Sequence, residues 1–394
     1  MPQDTYTEIT TQSWFSRIKD SFFGVLLGLL LFIASFFVLW LNEGHSVKTA
    51  EALREVQQTV IALPGPEVSP QNEGKLIYVN GTAATSEMLT DEITEVPVHA
   101  IKLLREVEMY QWVESSKSQT KEKVGGSKET VTTYTYETKW SGASQDSAAF
   151  KKPAGHANPT MTHSNATIAA HHVSLGSFLL SPGLIDKIGA TESLAFHDAD
   201  LEKIPAAIRS KTKLSDGYLY IGNQGEPNPV SPRVGDYRIR YRIVPREISL
   251  SIIARQISNS FEPYRTKNGQ FMELLETGIV SADLIVNNAQ KSNQLMTWLL
   301  RLLGFVLMFI GLGLCFKPLS VLGAVIPVMG RIVGAGTGMI AFSIALALSL
   351  MTVAIAWIVY RPVMAIILIA GAVLAVYLAH KSRRRPGENM KTGV

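Results

Sequence analysis

The chain is poor in charge. Its 37 Lys+Arg and 33 Asp+Glu make up 18% of 394 residues, while 46% are hydrophobic, against about 25% charged in an average soluble domain. That balance excludes a disordered chain and argues against one that lives wholly in water. The single cysteine, Cys315, excludes an intramolecular disulfide and lies in an apolar run where it needs no redox role. Carboxylates are absent from residues 284–387 and from residues 22–41. With no intramembrane acid to relay protons or bind a driving cation, a proton-coupled transporter is disfavoured. There is also no G-x-S-x-G elbow, no H-E-x-x-H and no glycine-rich strand-to-helix turn. His156, His163, His171 and His172 are spaced by seven, eight and one, which matches no zinc motif. No pair of carboxylates stands out for acid–base work. The expectation is a protein that is not an enzyme, with no catalytic residues, no metal and no cofactor.

Long apolar runs are what the chain does have. Residues 22–41 are twenty residues without a charge, enough at 1.5 Å per residue to cross a hydrocarbon core of about 30 Å. No small-x-small cleavage site closes the run, so it reads as a signal anchor rather than a removable signal peptide. Residues 296–316, 332–359 and 363–379 give three more spans. Residues 317–331 are apolar but interrupted by Pro327, which suits a re-entrant or interfacial segment better than a fifth span. The predicted fold class is thus an integral membrane α-helical protein of four spans. A large non-cytoplasmic α+β domain, mainly antiparallel β, is inserted between spans one and two, at residues 42–295.

The net charge of +4 is a topology signal rather than a nucleic-acid one. Residues 43–298 hold 26 basic and 29 acidic side chains, and the remainder 11 and 4. Lys381, Arg383, Arg384, Arg385 and Lys391 mark the tail at 380–394 as cytoplasmic, and Arg17 and Lys19 do the same for residues 1–21. Trp40, Trp298, Trp357 and Tyr360 fall at the outer ends of spans one to three, as interfacial aromatics do. Trp14 is expected in a short amphipathic stretch on the inner surface. Arg301, Lys317, Arg331 and Arg361 sit near span ends and are expected to snorkel, with Lys317 and Arg331 candidates for lipid headgroup contact. Gly330, Gly334 and Gly338 put small residues on one face of span three, a helix-packing stripe.

In the domain, residues 234–244 alternate: Tyr237, Ile239, Tyr241 and Ile243 on one face, Asp236, Arg238, Arg240 and Arg242 on the other. Residues 248–257, 76–82, 103–113 and 130–140 read as further strands, the last two joined by a polar loop at 114–129 centred on Gly125 and Gly126. Residues 46–60 read as a helix, and 198–208 more weakly so. The arginine row reads as a solvated strand face, or as a contact for anionic headgroups or an acidic partner. Asn80-Gly81-Thr82 and Asn165-Ala166-Thr167 are glycosylation sequons that matter only in a eukaryote.

The layout and several phrases carry a resemblance. They are Asn42-Glu43-Gly44 followed by Lys48-Thr49-Ala50, Asn72-Glu73-Gly74-Lys75-Leu76, and Val107-Glu108-Met109-Tyr110-Gln111-Trp112-Val113-Glu114. Next come His156 with Asn158-Pro159, Gly183-Leu184-Ile185-Asp186-Lys187, Val234-Gly235-Asp236, Ala254-Arg255-Gln256 and Tyr360-Arg361-Pro362. Together they resemble the LUMA family, transmembrane protein 43 and its bacterial relatives, and the short tails point to a bacterial member. The resemblance implies four spans, a large lumenal or periplasmic domain and cytoplasmic tails. In animals it implies the endoplasmic reticulum and inner nuclear membrane, self-association, and partners such as emerin and lamins. In a bacterium it implies the inner membrane. It supplies no catalytic residues. The function expected is a self-associating membrane scaffold or organiser whose domain contacts partners. The alternative is a lipid-binding or lipid-sensing protein with the 317–331 segment at its site.

Overall fold

A computed structural model describes residues 4–362 together with Ile366, Ala370, Leu374 and Tyr377. The fourth expected span at 363–379 and the arginines Arg383, Arg384 and Arg385 fall largely or wholly outside the described residues. The chain divides into two units. One is built from residues 1–11, 52–121 and 129–289, the other from residues 12–51, 122–128 and 290–394.

The first unit is the β-rich domain. Its labelled strands are β1 (Asp4–Gln12), β2 (Leu76–Ala84), β3 (Pro97–Glu122), β4 (Lys128–Ser141), β5 (Tyr218–Ile221), β6 (Tyr237–Pro245), β7 (Glu247–Ile257) and β8 (Leu274–Thr277). A nine-stranded sheet runs β1-β4-β3-β6-β5 and ends at Thr212–Ser215. A seven-stranded sheet is centred on β7, flanked by β2 and β8. The expected mainly antiparallel domain is present, and its strands follow from side-chain period. In β6, Tyr237, Ile239 and Tyr241 are buried while Arg238, Arg240 and Arg242 stay half-exposed. Strand β7 lacks that alternation because both of its faces are covered. Leu250, Ile252 and Ala254 join the main core with Ile77 and Val79. Ile253 faces Ala52, Leu53, Val56, Ile285 and Val286 in a second cluster.

Two expectations change here. The 114–129 loop is mostly strand: β3 continues to Glu122 and β4 starts at Lys128, because Thr, Ser and Lys side chains tolerate a ribbon wet on both faces. Ser118 and Thr120 hydroxyls meet those of Thr132 and Thr130 across it. Residues 4–12, expected in a free tail, are strand β1 beside β4.

The second unit is helical. Helix α1 (Trp14–Thr59) is 46 residues long, α2 (Ala282–Gly323) 42 and α3 (Pro327–Tyr360) 34. Residues 46–60 are therefore not a separate helix but the continuation of the first span. Each helix carries a stretch long and apolar enough to cross a membrane, so three candidate spans are described. Inside the apolar runs the hydroxyls of Ser21, Ser35 and Thr352 bond back to Ile18, Phe32 and Leu348 carbonyls, which hides them from hydrocarbon. The 317–331 stretch, expected as a re-entrant or interfacial segment, is divided between two helices. Its first part ends α2, its last part starts α3, and residues 324–326 turn between them. Pro327 stands at the start of α3, where the missing N–H costs nothing.

Candidate functional site

The helical unit holds a charged knot. Glu43 on α1 is wholly buried and receives Arg301 of α2 through Nε to Oε1 at 2.6 Å and Nη2 to Oε2 at 2.9 Å. Trp357 of α3 donates its indole N–H to the same Oε2 at 2.9 Å. The Arg301 guanidinium also lies 4.7 Å from the Trp298 ring centroid and 5.7 Å from that of Trp357, close enough for cation–π attraction. One turn away the Asn42 amide donates to the Thr297 carbonyl at 3.1 Å. The Thr297 hydroxyl meets that of Ser46 at 2.8 Å, and Asn293 donates to the Ser46 carbonyl. Three helices are tied at one level by bonds among groups that would be costly to bury unpaired. Arg301, expected to snorkel, instead has a buried carboxylate partner. That partner was invisible to a reading confined to apolar runs, because Glu43 stands two residues past the end of the first one. Beside the knot, Trp40 packs on Tyr360 with ring centroids 5.6 Å apart, and a Cβ on Gly44 would come within 2.8 Å of the Tyr360 ring.

A close helix crossing lies outside the expected stripe. A Cβ on Gly28 would lie 2.6 Å from the Gly311 carbonyl oxygen, and one on Gly311 would lie 2.7 Å from that of Gly28. Only glycine permits this approach of α1 and α2. Of the expected stripe, Gly330 abuts Ala324 at the turn and Gly334 faces the Ser320 hydroxyl. Gly338 has open space where a Cβ would stand. Lys317 is exposed. Arg361 stacks 5.6 Å from the Trp357 centroid. A cleft of about 430 Å³ is lined by Phe36, Phe37 and Trp40 of α1 and Leu348, Met351, Thr352 and Ile355 of α3.

At the start of α1, Trp14 donates to the Val321 carbonyl at 3.0 Å rather than lying free on a surface. Arg17 pairs with Glu122 at 2.6 Å and donates to the Gly126 carbonyl. The Gly125 N–H donates to the Val325 carbonyl. Gly126, at φ +77°, has no room for a Cβ against the Trp14 ring.

The domain has two polar arrangements. Asp91 and Arg105 are both buried and joined at 2.6 Å, and Tyr241 donates to the other Asp91 oxygen at 2.7 Å. Burial, with Asp91 beside it, pushes the Tyr241 phenol up, and burial with Arg105 nearby pushes His163 down. This cluster is enclosed by core. The other arrangement lies on the open face of the nine-stranded sheet. Arg238 bonds Glu108 at 2.6 Å and Arg240 bonds Glu106 at 2.7 Å, across the β6–β3 register. The Arg238 guanidinium lies 4.9 Å from the Trp140 centroid and 4.8 Å from that of Tyr218, and Tyr110 and Tyr220 flank Trp140. The arginine row is therefore a cross-strand ladder, not a bare basic strip.

The histidines are apart. His156 is buried under Tyr136, His171 and His172 gather on Glu87, and His163 leans on Tyr237. Among the described residues no group of three His, Cys, Asp or Glu side chains could hold a metal. Asn165 accepts from the Val107 N–H, and Asn80 donates to the Tyr78 hydroxyl.

Three of the phrases that carried the resemblance supply members of these arrangements: Asn42-Glu43-Gly44, the run from Val107 with Glu108 and Tyr110, and Tyr360-Arg361-Pro362. Residues 109–362 match the family described as transmembrane protein 43. The mouse protein of that name is 35% identical over 380 residues, covering 92% of this chain and 91% of its own length. The chain belongs to the transmembrane protein 43 family. Human transmembrane protein 43 is also 35% identical, over 93% of this chain and 92% of its own. The fruit fly transmembrane protein 43 homolog is 28% identical over 88% and 92%. These relatives are animal proteins and give the expected bacterial source no support. No solved structure matches the chain. Membership and the long apolar helices make the protein an integral membrane one.

Proposed function

We propose that the protein is a non-catalytic multi-pass membrane scaffold that self-associates and engages protein partners through its large domain, on the non-cytoplasmic side. The observation that carries this reading is the open sheet face of Tyr110, Trp140, Tyr218, Arg238 and Arg240. Tyr, Trp and Arg are the residues on which interface energies concentrate. Here their rotamers are already fixed by the Glu106 and Glu108 pairs, so less ordering remains to be done on binding. A photo-crosslinkable residue at Trp140 in native membranes is expected to capture one or a few discrete proteins. Capture should be lost with Tyr218→Ala together with Arg238→Ala. Differently tagged copies are expected to co-purify; recovery of untied single copies and no crosslinked partner would sink the scaffold reading.

A second reading, lipid binding, is favoured by the cleft between α1 and α3 rather than by Lys317 and Arg331. Its lining is apolar apart from Thr352, whose hydroxyl is spent on the Leu348 carbonyl, which suits an acyl chain. Native mass spectrometry after mild extraction is expected to retain one lipid per chain, and to lose it in Met351→Trp. No retained lipid would remove this reading while leaving the first untouched.

A further inference from the structure

Two guanidinium groups share the indole of Trp357. That of Arg301 lies 5.7 Å from the ring centroid and that of Arg361 lies 5.6 Å from it, both in range of cation–π attraction. One carboxylate serves the two cations. Glu43 takes Nε and Nη2 of Arg301, which leaves that pair neutral, while Arg361 has no acidic partner among the described residues. A guanidinium carries five N–H donors. Arg301 spends two of them on Glu43, and its Nη1 meets no acceptor among the described residues. The side chain of half-buried Arg361 likewise meets none there; its backbone N–H donates to the Trp357 carbonyl at 2.7 Å.

The level of these groups narrows what can meet the spare donors. Glu43 follows the apolar run at 22–41, Arg301 stands near the start of 296–316, and Arg361 follows 332–359. All three stand where hydrocarbon gives way to headgroups, and Trp40, Trp298 and Tyr360 mark the same level. Lipid phosphates are the anions held at that depth, and basic side chains are drawn to them. On α2, Leu299, Leu302 and Leu303 are exposed beside Arg301, an apolar surface on which acyl chains can lie. From this arrangement we infer that Arg361 and Arg301, held on Trp357, seat the phosphate of an anionic phospholipid.

Charge decides the class of lipid. With Glu43 and Arg301 cancelling, Arg361 leaves one surplus positive charge, which a singly anionic headgroup such as phosphatidylglycerol neutralises. Phosphatidylcholine brings a cation of its own. The seat has no free carboxylate to hold it, because Arg301 and the Trp357 indole occupy both oxygens of Glu43. The seat does not rest on the cleft between α1 and α3. Trp357 follows Ile355 of the cleft by two residues, about 200° round the helix, so the two lie on different faces of α3.

Photocrosslinking of the full chain in phosphatidylcholine nanodiscs tests this. Phosphatidylglycerol and phosphatidylcholine, each with a diazirine near the glycerol, are doped in at equal trace amounts, and adducts are mapped on residues 295–303 and 355–362. Phosphatidylglycerol is expected to label these segments roughly fivefold more, the preference that one basic side chain confers near anionic lipid. The preference should fall to parity in Arg361→Gln and persist in Arg361→Lys, which keeps the charge. It should also persist in Met351→Trp, which fills the cleft, and in excess inorganic phosphate. Parity in the unmodified chain, or a preference that survives Arg361→Gln, would overturn the seat. Loss in Met351→Trp would move the lipid to the cleft, and displacement by inorganic phosphate would make the site one for the free anion; either result would overturn it as well.

Discussion

Arg301 places two of its guanidinium N–H groups on the two carboxylate oxygens of Glu43, and Glu43 has no exposed surface at all. The pair joins α1 to α2, and the Trp357 indole extends it to α3.

Removing one member should therefore cost more than removing both. Glu43→Ala leaves a guanidinium without its partner, and the expected loss is about 3 kcal/mol or more. Arg301→Ala leaves a buried carboxylate with only the Trp357 bond. In the double variant neither charge is stranded, so its loss should fall well short of the sum. Unfolding of the purified protein in detergent, followed by tryptophan fluorescence, measures all three. Strict additivity would mean the pair is not coupled.

The glycines give a second contrast. Leucine at Gly28 or Gly311 must push α1 from α2, because backbone atoms stand where Cβ would go. Leucine at Gly338 meets open space. The first two variants should lower the unfolding temperature of the helical unit by several degrees, a drop of the size expected for 1–3 kcal/mol (an approximate range) of overpacking. Gly338→Leu should leave it nearly unchanged. The reverse order would show that the Gly330, Gly334 and Gly338 stripe, not the Gly28–Gly311 crossing, holds the helices.

Alkaline stability reports on the domain. Burial, with Glu114 nearby, pushes the Tyr136 phenol up to about 12, above its ordinary value of about 10. A raised pKa of this kind contributes stability that is complete below about pH 10 and is lost as pH rises toward about 12. Unfolding temperature should fall across that window, and the fall should be shallower in Tyr136→Phe, although this variant starts lower for want of two hydrogen bonds. Parallel slopes would remove Tyr136 as a source.

Much of this was legible in the sequence, and the misses share a cause. The alternation in β6 exposed its strand and its buried face because period 2 is a local property. The apolar run at 22–41 marked a span for the same reason. Glu43 and Arg301 are 258 positions apart, and each looks ordinary alone; only packing makes them a pair. Gly28 and Gly311 were passed over because their spacing is not repeated within one helix, whereas the stripe at Gly330, Gly334 and Gly338 is periodic but meets little. Pro327 reads in the sequence as an interruption of the 317–331 segment, whereas in the fold it stands at the start of α3. The polar strands beyond Val113 carried no hydrophobic period to read.

The N-terminal strand supplies a last test. Tyr6 of β1 lies beside Tyr134 of β4, with ring centroids 6.2 Å apart, and the Thr10 hydroxyl reaches the Thr130 carbonyl. Arg17, just beyond, pairs with Glu122 at the turn between β3 and β4. Each of these contacts joins the segment at the start of α1 to the β3–β4 ribbon. With Cys315 replaced by alanine, Tyr6→Cys and Tyr134→Cys should be joined in intact membranes by a short bis-maleimide. No crosslink in the double variant would detach β1 from the sheet.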